Sequence, residues 1–229
     1  MRKLIFITTI CALLAIPALA EPTARVYQTT YSNGSGGEFA LSFINWDWNP
    51  LPYYDASTSN IVHSPSFQTF CVEHSENFNP GTEYSVTFSN NAIAGGGGPS
   101  GDPISLGTAW LYHMFQSQDP DLGYDWGAGR VTSAGELQNA IWYLEGEGGS
   151  LTPAYSAMLT DKFGSVTDAM ADNHVGLNPV MVVNLWDKGF AGNLDHLIQD
   201  QLVCVPVPAA ALLGMLGLGV AGLKLRKYA

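Results

Sequence analysis

The sequence predicts an α+β fold, a single β-rich domain with an inserted helical subdomain. Residues 25–88 contain alternating apolar and polar runs that are typical of strands. Residues 102–171 contain two helical patterns and a third, less regular one, and residues 178–203 return to strand-like runs. Because strands and helices occupy separate stretches of the chain, the pattern favours a segregated α+β domain over an alternating parallel one.

The strands are predicted from alternation and from the turn residues between them. Residues 25–31 and 38–44 flank the glycine-rich stretch 33–37 and should form a hairpin. Four further strands follow from runs rich in Val, Phe, Thr and Tyr, at residues 67–74, 83–88, 178–186 and 199–203.

The helices are predicted from capping residues and apolar faces. Asp102 followed by Pro103 is a typical helix start, and an apolar face follows it. Ser133 and Glu136 have the spacing of a capping box, which predicts a second helix beginning at that point. Residues 153–171 form the third predicted helical stretch.

The first 20 residues predict a secretory signal peptide. They begin with two basic residues, continue with a short apolar run and end in an Ala-x-Ala pattern, so cleavage is expected after Ala20. The apolar run is shorter than the ~20 residues that a membrane-spanning helix needs. We therefore expect an exported protein whose domain spans residues 21–204.

Residues 205–229 predict a membrane-associated tail. A proline-containing motif precedes a Gly- and Ala-rich apolar run at 209–223 and a basic end that should remain cytoplasmic. The motif residues are Val205, Pro206, Val207 and Pro208, and the basic residues are Lys224, Arg226 and Lys227.

This tail resembles the exosortase sorting signals of the PEP-CTERM class, and in particular its VPLPA variant. Val207 stands where the main class has Glu and the variant has Leu. The resemblance implies a Gram-negative protein that is held transiently at the inner membrane and cut by an exosortase-type enzyme. It would then pass to the cell surface or to the extracellular matrix of a biofilm. A plain C-terminal transmembrane anchor fits the same pattern.

The charge of the domain excludes one class of partner. Five of the nine Lys and Arg residues lie in the two end segments, which leaves four against all 20 Asp and Glu residues. Residues 21–208 therefore carry a net charge of −16. Such a surface repels nucleic acid, so no nucleic-acid binding is expected.

Two short motifs point to chemistry. Phe70-Cys71 lies in an apolar, strand-like run, and the second helix carries Gln138 followed by Ala140, Ile141 and Trp142. The two motifs resemble the thioester domains of bacterial surface adhesins, in which Cys and Gln side chains form an internal thioester. Leu137 departs from the family pattern, which has Thr at that position.

The resemblance implies a Cys71–Gln138 thioester and covalent attachment to amine-bearing partners, in the manner of an adhesin. The side chains of Phe70, Ile141 and Trp142 would shield the bond from water. No cofactor and no metal are implied, and we expect no enzyme, because each molecule would make one bond once. His74 is close enough along the chain to assist proton transfer, but strand alternation would direct it to the opposite face.

Other interpretations of Cys71 remain open. Export permits a Cys71–Cys204 disulfide. A buried thiol without chemistry is the other alternative, because free Cys is among the most buried residue types. A zinc site at Cys71 and His74 lacks a second pair of ligands. Asp119, Asp121 and Asp125 do not have the spacing of a calcium loop, and Glu145 and Glu147 are expected to be solvated at a helix end.

The alternative function is a non-covalent structural or carbohydrate-binding matrix protein. In that case Cys71 and Gln138 would only pack in the core. Trp46, Trp48, Tyr53 and Tyr54 in the predicted loop at 46–60 would then be candidates for stacking on sugars. A secreted hydrolase is disfavoured because no nucleophile, base and orienting residue can be assembled from the sequence.

Overall fold

A six-stranded antiparallel sheet organises the domain. The computed structural model describes residues 21–34, 36–44, 66–93, 101–172 and 178–205. The strands lie in the order β3-β2-β1-β4-β7-β8, and a separate two-stranded ribbon pairs β5 with β6. The strands are β1 (Thr23–Asn33), β2 (Gly36–Phe43), β3 (Phe67–Thr69), β4 (Glu83–Ser89), β5 (Asn91–Ala92), β6 (Asp102–Pro103), β7 (Val180–Trp186) and β8 (Gln201–Cys204).

The four α-helices of the described residues lie between β6 and β7 in the chain, so the predicted mixture of helix and sheet and its α+β class are confirmed. The helices are α1 (Leu106–Gln116), α2 (Arg130–Leu144), α3 (Pro153–Phe163) and α4 (Val166–Ala169), with short 3-10 turns at Pro120–Leu122 and Leu194–His196. None of the helices in the described part of the chain is long and apolar enough to span a membrane. The predicted signal peptide, the tail beyond Val205 and the aromatic loop at 46–60 lie outside the described residues.

The two ends of the sheet meet each other. β3 and β8 are last in the strand order at opposite ends, yet residues 70–72 run antiparallel to residues 200–202. The Val72 N–H donates to the Asp200 carbonyl at 3.1 Å, and the Leu202 N–H donates to the Phe70 carbonyl at 3.1 Å. We call this pairing the seam. It pairs a short stretch at each end of the sheet that would otherwise present unpaired backbone groups.

Helix α2 is fixed against the hairpin of β1 and β2. At its first turn, Arg130 makes two hydrogen bonds of 2.8 Å to the Glu38 carboxylate on β2. The Tyr124 hydroxyl also donates to Glu38, and the Arg130 guanidinium stacks over the Tyr31 ring at 4.0 Å. Glu38 and Arg130 are almost fully buried, so each charge depends on the other for its compensation.

Apolar side chains form two clusters on either side of this arrangement. One lies between the helices and the sheet and includes Phe70, Leu137 and Ile141. The other includes Cys71 and Trp142 with the apolar residues of β1, β2, β4 and β7. Neighbouring residues in the sequence therefore contribute to different clusters, since consecutive extended residues point to opposite sides.

Two predicted helix starts are wrong. Asp102 and Pro103 pair with β5, and Ser105 caps α1 by accepting a hydrogen bond from the Thr108 N–H at 3.1 Å. Ser133 lies inside α2, which begins at Arg130. The Asp125 carboxylate accepts from the N–H groups of Gly127 and Gly129, so the turn before the helix is already ordered three residues earlier.

Two other predicted elements are shorter than expected. The strand predicted at 67–74 ends at Thr69, because Cys71 contacts the opposite end of the sheet through the seam. The helix predicted at 153–171 breaks at Gly164, whose φ of 90° is incompatible with a continuous helix. Ser165 then caps the short α4.

Candidate functional site

Cys71 lies at the middle of the seam. It is paired with Gln201 on β8, between the two backbone hydrogen bonds that define the seam. In such an antiparallel pair the backbone N–H and C=O of the central residue point away from the partner strand. The main-chain groups of Cys71 are therefore directed toward another element.

The main-chain groups of Cys71 face the side-chain amide of Gln138 on α2. The Cys71 N–H donates to Gln138 Oε1 at 3.3 Å, and Gln138 Nε2 donates to the Cys71 carbonyl at 2.8 Å. The Cys71 thiol also donates to Oε1, with Sγ 3.3 Å away. The side-chain amide thus occupies the place of a neighbouring strand and holds its oxygen beside the sulfur. Both side chains are fully buried, at 0% exposure.

Gly36 makes this approach possible. A Cβ placed at Gly36 would lie 2.6 Å from Gln138 Cγ and 2.6 Å from Trp142 Cη2, which is closer than carbon atoms tolerate. Only glycine therefore allows α2 to lie this close to β2. Sequence reasoning assigned Gly36 to a turn and missed this role. No local pattern shows this role, because it depends on the helix that lies opposite Gly36.

The three predicted shielding residues take different positions. Trp142 belongs to the same apolar cluster as Cys71 and is 5% exposed. Phe70 and Ile141 are fully buried in the cluster between the helices and the sheet. Phe70 packs edge-to-face on Phe115 at a centroid distance of 5.0 Å. Phe70 and Ile141 therefore bound the site on the side of the cluster between the helices and the sheet. Leu137 is buried in that same cluster.

His74 lies on the same side as the site, and the prediction from strand alternation is wrong. The strand has ended before His74, so alternation does not apply there. Its ring packs edge-to-face against Trp142 at 4.5 Å, and its backbone N–H lies 3.5 Å from Glu147 Oε2. Because His74 is exposed, Trp142 stands between an exposed imidazole and the buried thiol.

Burial dominates the electrostatics of the thiol. It raises the pKa of Cys71 far above the ordinary value, and the nearby Glu73 carboxyl acts in the same direction. The Trp142 indole opposes this shift and lowers the pKa. The thiol is therefore protonated at neutral pH, and any attack by the sulfur must include the loss of that proton.

Glu73 is part of a second buried group. Its pKa is raised well above the ordinary range, first by burial and then by the Asp200 carboxyl. The backbone N–H of Asp200 donates to Glu73 Oε2 at 3.0 Å. Burial is therefore a main cause of the raised pKa at both Glu73 and Cys71.

The second cysteine is separate from the site. Among the described residues, Cys71 and Cys204 are both free thiols. Cys71 faces Gln201, so Cys204 lies three residues along β8, roughly 10 Å away at ~3.3 Å per residue. A disulfide needs Cα atoms within about 7 Å, so the alternative of a Cys71–Cys204 disulfide is contradicted. Burial raises the pKa of Cys204 to about 12, and His113 Nδ1 lies 4.0 Å from its sulfur.

The acidic residues considered from the sequence have structural partners. Asp119 accepts a hydrogen bond from the Asp121 N–H at 3.0 Å, and Asp125 orders the turn before α2. Glu145 is not simply solvated at a helix end, because it accepts hydrogen bonds from the N–H and hydroxyl of Ser105 at 3.1 and 2.8 Å. Within the described ranges, no three His, Cys, Asp or Glu side chains are grouped so as to hold a metal ion.

The arrangement at Cys71 and Gln138 is suited to acyl transfer. The thiol sulfur lies 3.3 Å from the oxygen of a primary amide, that oxygen already accepts a backbone N–H, and both side chains are fully buried. A preorganised donor at a carbonyl oxygen stabilises the negative charge that develops there when a nucleophile attacks.

No protein-family model, no curated protein and no solved structure matches this chain.

Proposed function

We propose that this chain is an exported surface or matrix protein whose domain forms an internal thioester between Cys71 and Gln138. The thioester would then attach the protein covalently to partners that carry amines. The observation that carries the proposal is the contact of Cys71 Sγ with Gln138 Oε1 at 3.3 Å, reinforced by two hydrogen bonds between the same amide and the Cys71 backbone.

Formation of the bond balances without a co-reactant. Cys71 Sγ attacks Gln138 Cδ, and the negative charge on Oε1 is stabilised by the Cys71 N–H. The thiol proton passes to Nε2, the C–N bond breaks and ammonia leaves. Nε2 is hydrogen-bonded to the Cys71 carbonyl before the reaction, so the leaving nitrogen is already held in a fixed orientation.

In the capture of a partner, the Cys71 sulfur is the leaving group and no longer the nucleophile. The partner's amine nitrogen attacks the thioester carbon, the C–S bond breaks and the sulfur leaves as a thiolate. One amine proton passes to that thiolate, which restores the Cys71 thiol and leaves Gln138 as a substituted amide. A thioester protected from water survives until such an amine arrives, and burial of both side chains supports that protection.

The two end segments supply the route to the surface in this proposal. A signal peptide at 1–20 would direct export, and the tail at 205–229 would hold the protein at the inner membrane until an exosortase-type enzyme cuts near Val205–Pro208. The transmembrane segment of that tail and its basic end would be removed. The strongly acidic domain supports a partner with exposed ammonium groups, because unlike charges attract.

Intact mass spectrometry of the purified domain tests the thioester. We expect a mass lower by one ammonia in the wild type and the full calculated mass in Cys71→Ala and Gln138→Ala. Gln201→Ala is the matched control, since Gln201 is a second buried glutamine paired with Cys71 across the seam. It should retain the loss. An unmodified wild-type mass would overturn the proposal. If the ammonia loss disappears in Gln201→Ala but not in Gln138→Ala, the bond is formed with Gln201 and the assignment to Gln138 is wrong.

A second candidate function is non-covalent binding of a saccharide, favoured by one cavity. This cavity of about 220 Å³ combines side-chain amides with apolar side chains, a mixture that suits a neutral, hydroxyl-rich ring. Its lining residues are Gln28, Phe39, Asn77, Phe78, Pro80 and Gln199.

Saccharide titration of Cys71→Ala by calorimetry distinguishes the two functions. Binding that persists in Cys71→Ala and is lost in Asn77→Ala favours the saccharide site. Matrix attachment that requires Cys71 favours the thioester.

A further inference from the structure

The Trp142 indole has a polar group that shielding does not explain. Trp142 is 5% exposed, and its Nε1–H has no hydrogen-bond partner of ordinary geometry among the described residues. Buried donors in native proteins are nearly always paired, so a lone one calls for a reason. A purely protective side chain at this position would be better without the N–H.

The indole lies against the reacting groups. Trp142 follows Gln138 by one helical turn, which places the two side chains on the same face of α2. Its Cζ2 and Cη2 atoms meet Gly36 at the point where Gln138 Cγ also does. Cζ2 is next to the ring carbon that carries Nε1. Trp142 shares its apolar cluster with Cys71, and its N–H lowers the pKa of that thiol.

We propose that the Trp142 N–H is the catalytic hydrogen-bond donor that stabilises negative charge on the Cys71 sulfur. This inference rests on the proposed thioester. A neutral thiol or thioester sulfur is a weak acceptor, which accounts for the absence of a normal hydrogen bond in the resting protein. A thiolate is a much stronger acceptor, so the same N–H interacts most strongly when charge develops.

The site then has two hydrogen-bond donors, each of which stabilises charge on a different atom. The Cys71 N–H serves the oxygen of the amide or thioester, and the Trp142 N–H serves the sulfur. During formation, the sulfur becomes more nucleophilic as its proton leaves toward Gln138 Nε2. During capture, the C–S bond breaks and the departing sulfur carries the electron pair until it takes a proton from the amine. Both steps pass through a charged sulfur, so one donor accelerates both.

An isosteric replacement of Trp142 separates this role from shielding. Incorporation of 3-benzothienylalanine at position 142 keeps the bicyclic ring and puts sulfur in place of the N–H. We expect the rate of methylamine incorporation, followed by intact mass, to fall about 10-fold or more. This is less than the ~10²–10³ loss for an oxyanion donor because sulfur accepts hydrogen bonds weakly. Hydrolysis of the thioester should slow by the same factor, because it also expels the thiolate.

A shield without a polar role gives the opposite pattern. In that case the benzothienyl protein would react like the wild type, and the proposal would be overturned. Trp142→Phe provides the contrast, since it removes the N–H and also opens space over the thiol. It should slow methylamine capture while it raises the ratio of hydrolysis to capture.

A second measurement does not depend on the thioester. In Gln138→Ala, which cannot form the bond, the indole Nε1–H resonance of Trp142 is assigned by its loss in Trp142→Phe. Adding Cys71→Ser should move this resonance downfield, because a hydroxyl is a stronger acceptor, and adding Cys71→Ala should move it upfield. Shifts in the same direction would show that the N–H does not meet the sulfur. A wild type that keeps its ammonia overturns the proposed function, whereas these shifts decide the position of the donor.

Discussion

Replacing Gly36 with alanine tests whether close approach of α2 to β2 is what brings the sulfur and the amide together. The added Cβ would lie 2.6 Å from both Gln138 Cγ and Trp142 Cη2. Carbon atoms in contact are normally ~3.5–4.0 Å apart, so each neighbour must move by about 1 Å. The two contacts are on the same helix face, so no single rotamer change relieves both.

The structure sets the expected magnitudes. Insertion of one methyl group into a filled core typically costs ~1–3 kcal/mol. Gly→Ala in a strand recovers about 0.5–1 kcal/mol, so we expect a net loss of at most about 2.5 kcal/mol in the free energy of unfolding. A displacement of 1 Å at a reacting centre costs about 10²-fold in rate. Thioester formation should therefore fall about 10²-fold while the protein remains folded.

The assay is a time course of intact mass after purification. Gly34→Ala is the matched control in the same hairpin. Gly34 has a φ of 66° and no described atom within 4 Å of a new Cβ, so alanine there costs roughly 1–2 kcal/mol of backbone strain without touching the site. Normal ammonia loss in Gly36→Ala, or an equal defect in Gly34→Ala, would refute the reasoning.

Three further predictions concern buried groups around the site. Glu38→Gln removes the carboxylate that pairs with the buried Arg130 guanidinium and should cost about 3–5 kcal/mol in urea unfolding. Glu83→Gln is the control, since it breaks partly exposed ion pairs and should cost ~1 kcal/mol or less; equal costs in the two variants would contradict the prediction. The pKa of Glu73 is raised in the folded state, so its contribution to stability is fully present below its unfolded pKa and is lost as pH rises through the folded one; Glu73→Gln should remove that decline, and an unchanged pH profile would contradict it. Cys204→Ala should leave the ammonia loss intact, because the two thiols do not meet; loss of the mass change would show that they do.

Local patterns predicted most of the strands and helices but not where each one begins and ends. The hairpin of β1 and β2 was predicted closely because alternation and a glycine-rich turn are both local. The start of α2 was misplaced because the order before it comes from Asp125, whose carboxylate binds two N–H groups in the preceding turn. The break at Gly164 shows that one positive φ overrides an otherwise helical composition.

The pairing of Cys71 with Gln138 was predicted only through resemblance, and its geometry was not. Sixty-seven residues separate the two side chains, and no local pattern shows that β3 and β8 meet at the seam. The same long-range contact explains why the position of His74 was wrong, since the strand that would have alternated stops at Thr69. Gly36 was missed because a close approach depends on the opposing helix, which a turn motif does not show.

The separation of Cys71 and Gln138 along the chain gives the proposed bond a mechanical meaning. A cross-link between them would close a loop spanning 67 positions, which in a chain-entropy treatment restricts the unfolded state by roughly 4 kcal/mol. That restraint exists only while the thioester is intact. When an amine captures the acyl group, the loop opens. The domain would then gain a permanent amide bond to its partner and lose its internal cross-link. Attachment to a surface would therefore lower the unfolding temperature of the attached molecule.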